Sequence, residues 1–351
     1  MFNPKYKLTN SIVQMLTAIS ESKVLIEHAK ILPQQEFKLK RQALVRMSHS
    51  STAIEGNRLN TKEVEALIAH KKIDAPQREI HEVQNYLNAL KFIEKTVKMN
   101  KPITEKVLLQ IHKLVSHKTL PEEQSGHYRK TAVYIVRRQI GLSDEVVYTG
   151  PNAKQVPLLC NNLLDWINES EKKEINPVIV ASIAHQEIAA IHPFGDGNGR
   201  TARAMATLVL YTRGYDFRRL FALEDYYNRD RQAYYQAINI GKNYEARKTD
   251  LTNWIEYFVT GFKEEIDNIQ SKISVLAYKK INDNINSQIF LNKDQIQILD
   301  FIDQVGKITI KDAMDIIICP KRTAQLCLQK LKKIGLIKLV GKGPSSAYIL
   351  K

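Results

Sequence analysis

Residues 192–203, HPFGDGNGRTAR, hold one histidine, one acid, three alternating glycines and two arginines, and run directly into the apolar stretch AMATLVLY. Glycine allows a backbone to approach an anion in conformations that side chains forbid. Gly195, Gly197 and Gly199 stand where a helix is about to begin. The first N–H groups of a helix have no partner within it, and its dipole favours negative charge there. Gly197, Asn198, Gly199 and Arg200 are therefore expected to point backbone N–H groups at an anion. Arg200 and Arg203, three residues apart, project from neighbouring helix positions and offer charge-assisted forks for phosphate oxygens. Asp196 is a hard oxygen ligand suited to Mg²⁺ bridging two phosphates. His192, with an unperturbed pKa of about 6.5, can be neutral at pH 7 and accept a proton from an incoming hydroxyl. No G-x-x-x-x-G-K-[ST] occurs, and Gly195-x-Gly197-x-x is followed by Arg200, so neither the P-loop nor the dinucleotide fingerprint fits.

Positioning these groups requires a helix on each side of the loop. NPVIVASIAHQEIAAI (176–191) supplies the first, with Asn176 as N-cap and Pro177 at the first helical position. The second runs through AMATLVLY to Arg213 and Gly214, a composition that ends helices. Upstream, the apolar spacing of 11–32 predicts a helix stopped by Pro33, and 36–56 predicts another ending at Gly56. Asn60 with Glu63 opens a third as a capping box, and helices are also expected over 79–99 and 101–117. TAVYIVRR and EVVYTGP, separated by a polar turn containing Gly141, read as a β-hairpin at about 132–150.

The chain has 351 residues, a net charge of +15 and 44% hydrophobic residues. That length accommodates two or three domains at about 100–200 residues each. The positive balance suits an anionic partner but is silent about fold. Cys160, Cys319 and Cys327 are odd in number and unevenly spaced, which reads as reduced thiols rather than a disulfide frame or zinc site. The N-terminus lacks a signal-peptide pattern, and no apolar run approaches the roughly 18–20 residues of a membrane span. A cytoplasmic protein without a membrane partner is the expectation.

Taken together, His192 to Arg203 resembles the H-P-F-x-D-G-N-G-R-x-x-R signature of Fic-domain proteins. SGHYRKTAVYIV (125–136) is similar to that family's G-x-[YF]-R and first flap strand, and YTGPNAKQVPLL (148–159) to the segment after the flap. The resemblance implies a mainly α fold: a Fic-type helical bundle with a β-hairpin flap. It implies transfer of AMP from ATP, with Mg²⁺, to a Ser, Thr or Tyr hydroxyl of a target protein. His192 would be the base, Asp196 the metal ligand, and Gly195, Gly197, Asn198, Gly199, Arg200 and Arg203 would hold the phosphates. Phe194 would pack beneath the loop. Tyr234, and less directly Tyr235, would lie near the adenine. The flap would pair with the target's backbone as an added strand.

Ser51-x-x-x-Glu55-Gly56 is similar to the family's [ST]-x-x-x-E-[GN] inhibitory helix, which implies that Glu55 pairs with Arg203 and blocks productive ATP binding. Ser51 and Glu55 are four apart and share a helix face. The same glutamate could align a water to remove AMP.

The expected domains are an N-terminal helical region at 1–100, with the inhibitory helix at about 36–56, a catalytic core at 101–265 and a linker at 266–290. A small α+β unit follows at 291–351. Its pattern of helix, short strand, two helices and two strands looks like a winged helix. From Pro320 to Lys351 it carries eight Lys or Arg and no Asp or Glu. Lys321–Ile334 would be the recognition helix, with Lys321, Arg322, Gln325 and Gln329 contacting DNA or, equally well, a partner protein. Other readings are a DNA-binding regulator with a secondary Fic activity, a Fic enzyme using another nucleotide donor, and a metal-dependent hydrolase using His185, Glu187, His192 and Asp196. No HExxH spacing supports the last. A homodimer is a further expectation, and the target is not legible.

Overall fold

Two helices apolar on almost every side lie in the core of the larger of two units, and the glycine loop joins them. The computed structural model describes residues 2–137, 145–247, 250–282, 291–341 and 346–350. In chain order the helices of the first half are α1 (Asn10–His28), α2 (Pro33–Ile54), α3 (Thr61–Ile68), α4 (Gln77–Met99) and α5 (Glu105–Val115). The strands β1 (Tyr134–Arg137) and β2 (Glu145–Thr149) follow, then α6 (Val156–Glu169), α7 (Pro177–Ile191) and α8 (Asn198–Thr212). Next come α9 (Leu223–Arg229), α10 (Arg231–Ile238) and α11 (Thr252–Asn282). The last elements are α12 (Lys293–Val305), α13 (Ile310–Ile317), α14 (Lys321–Lys333), β3 (Ile337–Val340) and β4 (Ala347–Leu350).

Residues 1–28, 42–67 and 73–272 make one compact unit. Within it α7 and α8 are buried along nearly their whole length, which follows from small and β-branched residues on all faces. Asn176 caps α7 by accepting from the Val178 N–H at 2.9 Å, with Pro177 at the first position as expected. Asn60 and Glu63 close the expected capping box: Asn60 Oδ1 accepts from Glu63 N–H at 3.1 Å, and Glu63 accepts from Asn60 N–H at 2.8 Å. The flap is an antiparallel pair, Tyr134 opposite Thr149, with a register shift between Ile135 and Val136. The turn expected at Gly141 lies outside the described residues.

Two expectations need correction. Pro33 does not end the first helix, which stops at His28; it opens α2. A proline at the first helical position lacks only an N–H that would have had no partner. The stretch expected as a linker at 266–290 is helical as far as Asn282. Ile266, Ile269 and Ile273, at helical spacing, are all buried and hold α11 together there.

Residues 29–41, 68–72 and 273–351 make the second unit. Its core gathers Ile298, Ile302, Ile308, Ala324, Leu328, Leu331 and Ile337. The short strand expected before α13 is a single antiparallel bridge, with Ile308 and Tyr348 exchanging hydrogen bonds of 2.9 and 2.8 Å. The order helix, bridge, helix, helix, two strands matches the expected order. Along α14, Ala324, Leu328 and Leu331 face the core while Lys321, Arg322 and Gln329 are exposed. We predict that Leu331→Ala, which removes a fully buried side chain, lowers stability by about 2–5 kcal/mol in urea unfolding followed by circular dichroism.

Candidate active site

The loop after α7 is shaped by its own side chains. His192 takes the left-handed conformation at φ 49° and closes α7, its N–H bonding the Ile188 carbonyl at 3.0 Å. Asn198 then staples the loop: its Oδ1 accepts from Phe194 N–H, and its Nδ2 donates to the Phe194 carbonyl, both at 2.9 Å. Gly197 caps α8 at φ 78°, a value that explains glycine there. Phe194 is fully buried and stacks flat on His112 of α5, ring centroids 3.7 Å apart. His112 accepts from Gly126 N–H at its Nδ1 and therefore donates from Nε2 to the Asp196 carbonyl, each bond 3.0 Å. Burial first, then the nearby Arg200 charge, holds its pKa down at about 4, so the neutral ring that this pattern requires persists.

His192 faces the Ala189 carbonyl with Nδ1 at 3.2 Å, which assigns the proton to Nδ1 and leaves Nε2 as the acceptor. Burial lowers its pKa below the usual imidazole value, keeping it neutral at pH 7. A residue that sequence reasoning did not single out holds it in place. Arg129, from the motif GHYR, is buried and donates to the His192 carbonyl at 2.8 Å, to Thr131 at 2.7 Å and to Pro151 at 2.7 Å. One guanidinium thus ties the histidine to both roots of the flap. Tyr148 of β2 adds a bond to the Ala190 carbonyl at 2.8 Å. His112 was missed as well; a lone histidine on an apolar helix face gives no signal of this role.

Arg203 is 2% exposed. Its Nε donates to Ser51 Oγ at 2.9 Å, and its Nη2 to the Ser51 carbonyl at 2.8 Å and to Glu55 Oε1 at 2.7 Å. Burial opposes its charge, and Glu55 beside it more than offsets that, holding the pKa above the usual guanidinium value. The Glu55 carboxylate also lies on the cradle itself: a Cβ built on Gly199 would collide with Oε1 of Glu55. An acidic group thus already rests on the backbone where an anion was expected. The end of α2 that presents it is anchored by Arg46, which bonds Asp225 at 3.0 Å and Glu265 at 2.7 Å.

Asp196 is half-exposed and paired with Arg78 at 3.3 Å and Arg200 at 3.7 Å. A single accessible carboxylate with no protein ligand set around it suits Mg²⁺, which keeps waters and takes phosphate oxygens. Arg200 is 3% exposed and its Nε and Nη1 have no hydrogen-bond partner, a match for an acceptor-rich group such as phosphate. Tyr234 is buried, with its hydroxyl 2.9 Å from His185 Nε2 and its ring stacked on Tyr227. Tyr235 is 48% exposed and donates to the Ile54 carbonyl at 3.3 Å, so it is the accessible one of the pair. The hydrolase set is not assembled: His185 is committed to Tyr234, and Glu187 takes a two-pronged bond from Arg247. Among the described residues no group of three or more His, Cys, Asp or Glu could hold a metal, and no helix is long and apolar enough to cross a membrane.

Residues 102–210 match the model of the Fic/DOC family. The protein adenylyltransferase Fic of Culex quinquefasciatus is 30% identical over 178 residues, covering 50% of this chain and 33% of that protein. That of Nematostella vectensis is 29% identical over 218 residues, covering 60% and 48%. The chain therefore spans less than half the length of these curated relatives. A Fic family protein from Desulfovibrio desulfuricans G20 shares the fold with a TM-score of 0.64 at 24% identity, covering 100% of this chain and 98% of that one. Fic-1 (residues 134–508) of Caenorhabditis elegans shares it with a TM-score of 0.61 at 22% identity, covering 75% and 73%.

Two outcomes are expected from this geometry. Asn198→Ala leaves the buried backbone groups of Phe194 without partners and lowers stability by about 1–3 kcal/mol in denaturant unfolding. His112, His185 and His192 all have pKa values lowered by burial, so unfolding takes up protons below the free value of 6.5. Their contribution is whole above that value and is lost as pH falls toward about 4, visible as a falling melting temperature across that window.

Proposed function

We propose that this chain, which carries a Fic domain over residues 102–210, is a protein adenylyltransferase restrained by its own Glu55. The observation that carries the reading is the joining, at one loop and the helix it opens, of a neutral imidazole whose Nδ1 faces a carbonyl and two buried arginines, one without hydrogen bonds at Nε and Nη1 and one occupied by Glu55.

In the productive arrangement Arg200, Arg203 and the N–H groups of Asn198 and Gly199 hold the outer phosphates of ATP, with Gly195 giving the loop room beside them; the Gly197 N–H, which donates to Asp196 Oδ1 at 2.6 Å, joins them once that bond is released. Asp196 would hold Mg²⁺, which supplies neutralisation of phosphate charge. The base would rest near Tyr235 and Tyr234. The flap aligns the target chain as an added strand and brings its Ser, Thr or Tyr hydroxyl to the α-phosphorus. His192 Nε2 takes the hydroxyl proton as oxygen bonds to phosphorus and the bond to pyrophosphate breaks. Positioning and charge neutralisation do most of the work in such a transfer.

In the present arrangement Ser51 and Glu55 occupy Nε and Nη2 of Arg203, so a γ-phosphate has no place there. Gly56, at φ 96°, ends the helix and sets the turn that carries the glutamate. We predict that Glu55→Gly raises self-labelling with ATP and Mg²⁺ by on the order of tenfold, a usual size for a released internal coupling. His192→Ala should remove the label in either background. Mass spectrometry of the protein and its host lysate reads both, and unchanged labelling in Glu55→Gly would refute the restraint. Incubating AMP-modified target with wild type and Glu55→Gly tests whether Glu55 also serves AMP removal.

The exposed basic face of α14 favours one further role, a winged-helix contact with DNA. Duplex affinity that falls steeply with salt supports it, and absent duplex binding leaves a protein partner as the occupant of that face.

A further inference from the structure

Arg203 has its Nε and Nη2 bonded to Ser51 and Glu55, whereas Arg200 has no hydrogen bond at Nε or Nη1. The acids beside Arg200 stand at ion-pair range without hydrogen bonds to its Nε or Nη1: Glu82 Oε1 lies 3.9 Å from Nη1, and Asp196 Oδ1 lies 3.7 Å from Nη2. Glu82 is itself buried on α4. Its Oε1 accepts from Arg78 Nε at 3.2 Å, and its Oε2 accepts from Asn57 Nδ2 at 2.9 Å. Asn57, two residues past Glu55, also donates to the Glu79 carbonyl at 3.0 Å, while Arg58 N–H bonds Glu79 Oε2 at 3.0 Å. One carboxylate therefore touches two systems. One oxygen faces the cradle arginine and the other fastens the turn that follows Glu55.

We propose that Glu82 is a second internal acid of the phosphate site, holding Arg200 back from an incoming phosphate and coupling that restraint, through Asn57, to the Glu55 turn. The inference rests on the reading of residues 192–203 as a triphosphate site and adds a positioning residue to it. A phosphate reaching Arg200 brings negative charge against a buried carboxylate, in a medium that screens poorly. Glu82 must give up Arg200. Arg78, whose side chain is 64% exposed, can follow it outward, and that movement draws Oε2 away from Asn57. Occupation of Arg200 thus loosens the segment that presents Glu55.

The test uses the full chain and inorganic tripolyphosphate as the probe, measured by isothermal titration without Mg²⁺. Glu82→Gln keeps an acceptor for Asn57 and removes the charge. It should tighten tripolyphosphate binding about fivefold or more, in the wild-type and Glu55→Gly backgrounds alike. Binding by Glu55→Gly with no gain from adding Glu82→Gln overturns the role of Glu82 alone. No binding by Glu55→Gly overturns the phosphate-site reading and this proposal together. A second measurement leaves Glu82 intact: in Glu55→Gly, tripolyphosphate should speed amide hydrogen exchange at residues 57–59. Unchanged exchange there overturns the coupling to the turn.

Discussion

A guanidinium buried to 2% exposure cannot stand without a counter-charge, and the position of the end of α2 in the first unit follows from that requirement. Removing the partner of a buried guanidinium leaves an uncompensated charge. Arg203 meets this by taking Ser51 and Glu55 as partners, so the end of α2 must lie against the start of α8. Arg46, Asp225 and Glu265 hold that helix from its other side. In the proposed mechanism the same demand for charge is what a triphosphate would satisfy. Inhibitor and substrate would then compete for one cation, and the restraint needs no separate machinery.

The loop between α7 and α8 is held at three points. Asn198 closes it internally, His112 supports it from α5, and Arg129 ties it to the flap. Such preorganisation suits chemistry that depends on position more than on covalent help. Neutrality of the two histidines follows from the same packing, since burial disfavours the imidazolium form.

The sequence made the site's centre legible because its demands are local. The left-handed glycine at 197, caps such as Asn176 and Asn60, and the paired arginines are all readable from spacing alone. What escaped was long-range. Arg129 and His112 act on residues far along the chain, and Glu82 sits in an ordinary run of α4 with nothing nearby in sequence to mark it. Pro33 was misplaced for a different reason: proline both ends and begins helices, and only the intervening residues 29–32 show which. The run after 266 looked like a linker by composition, yet three buried isoleucines outweighed its polar neighbours.

Arg129 also separates two kinds of change that sequence divergence could make. Because one side chain clasps both roots of the hairpin and the histidine's carbonyl, β1 and β2 are fixed to the same post as His192. Residues exposed on the strands, such as Tyr134, Val136 and Val146, can be exchanged without disturbing where that post stands. In the proposed mechanism, choice of target would then be free to drift while His192 stays put, so a lineage could acquire new clients without relearning its chemistry.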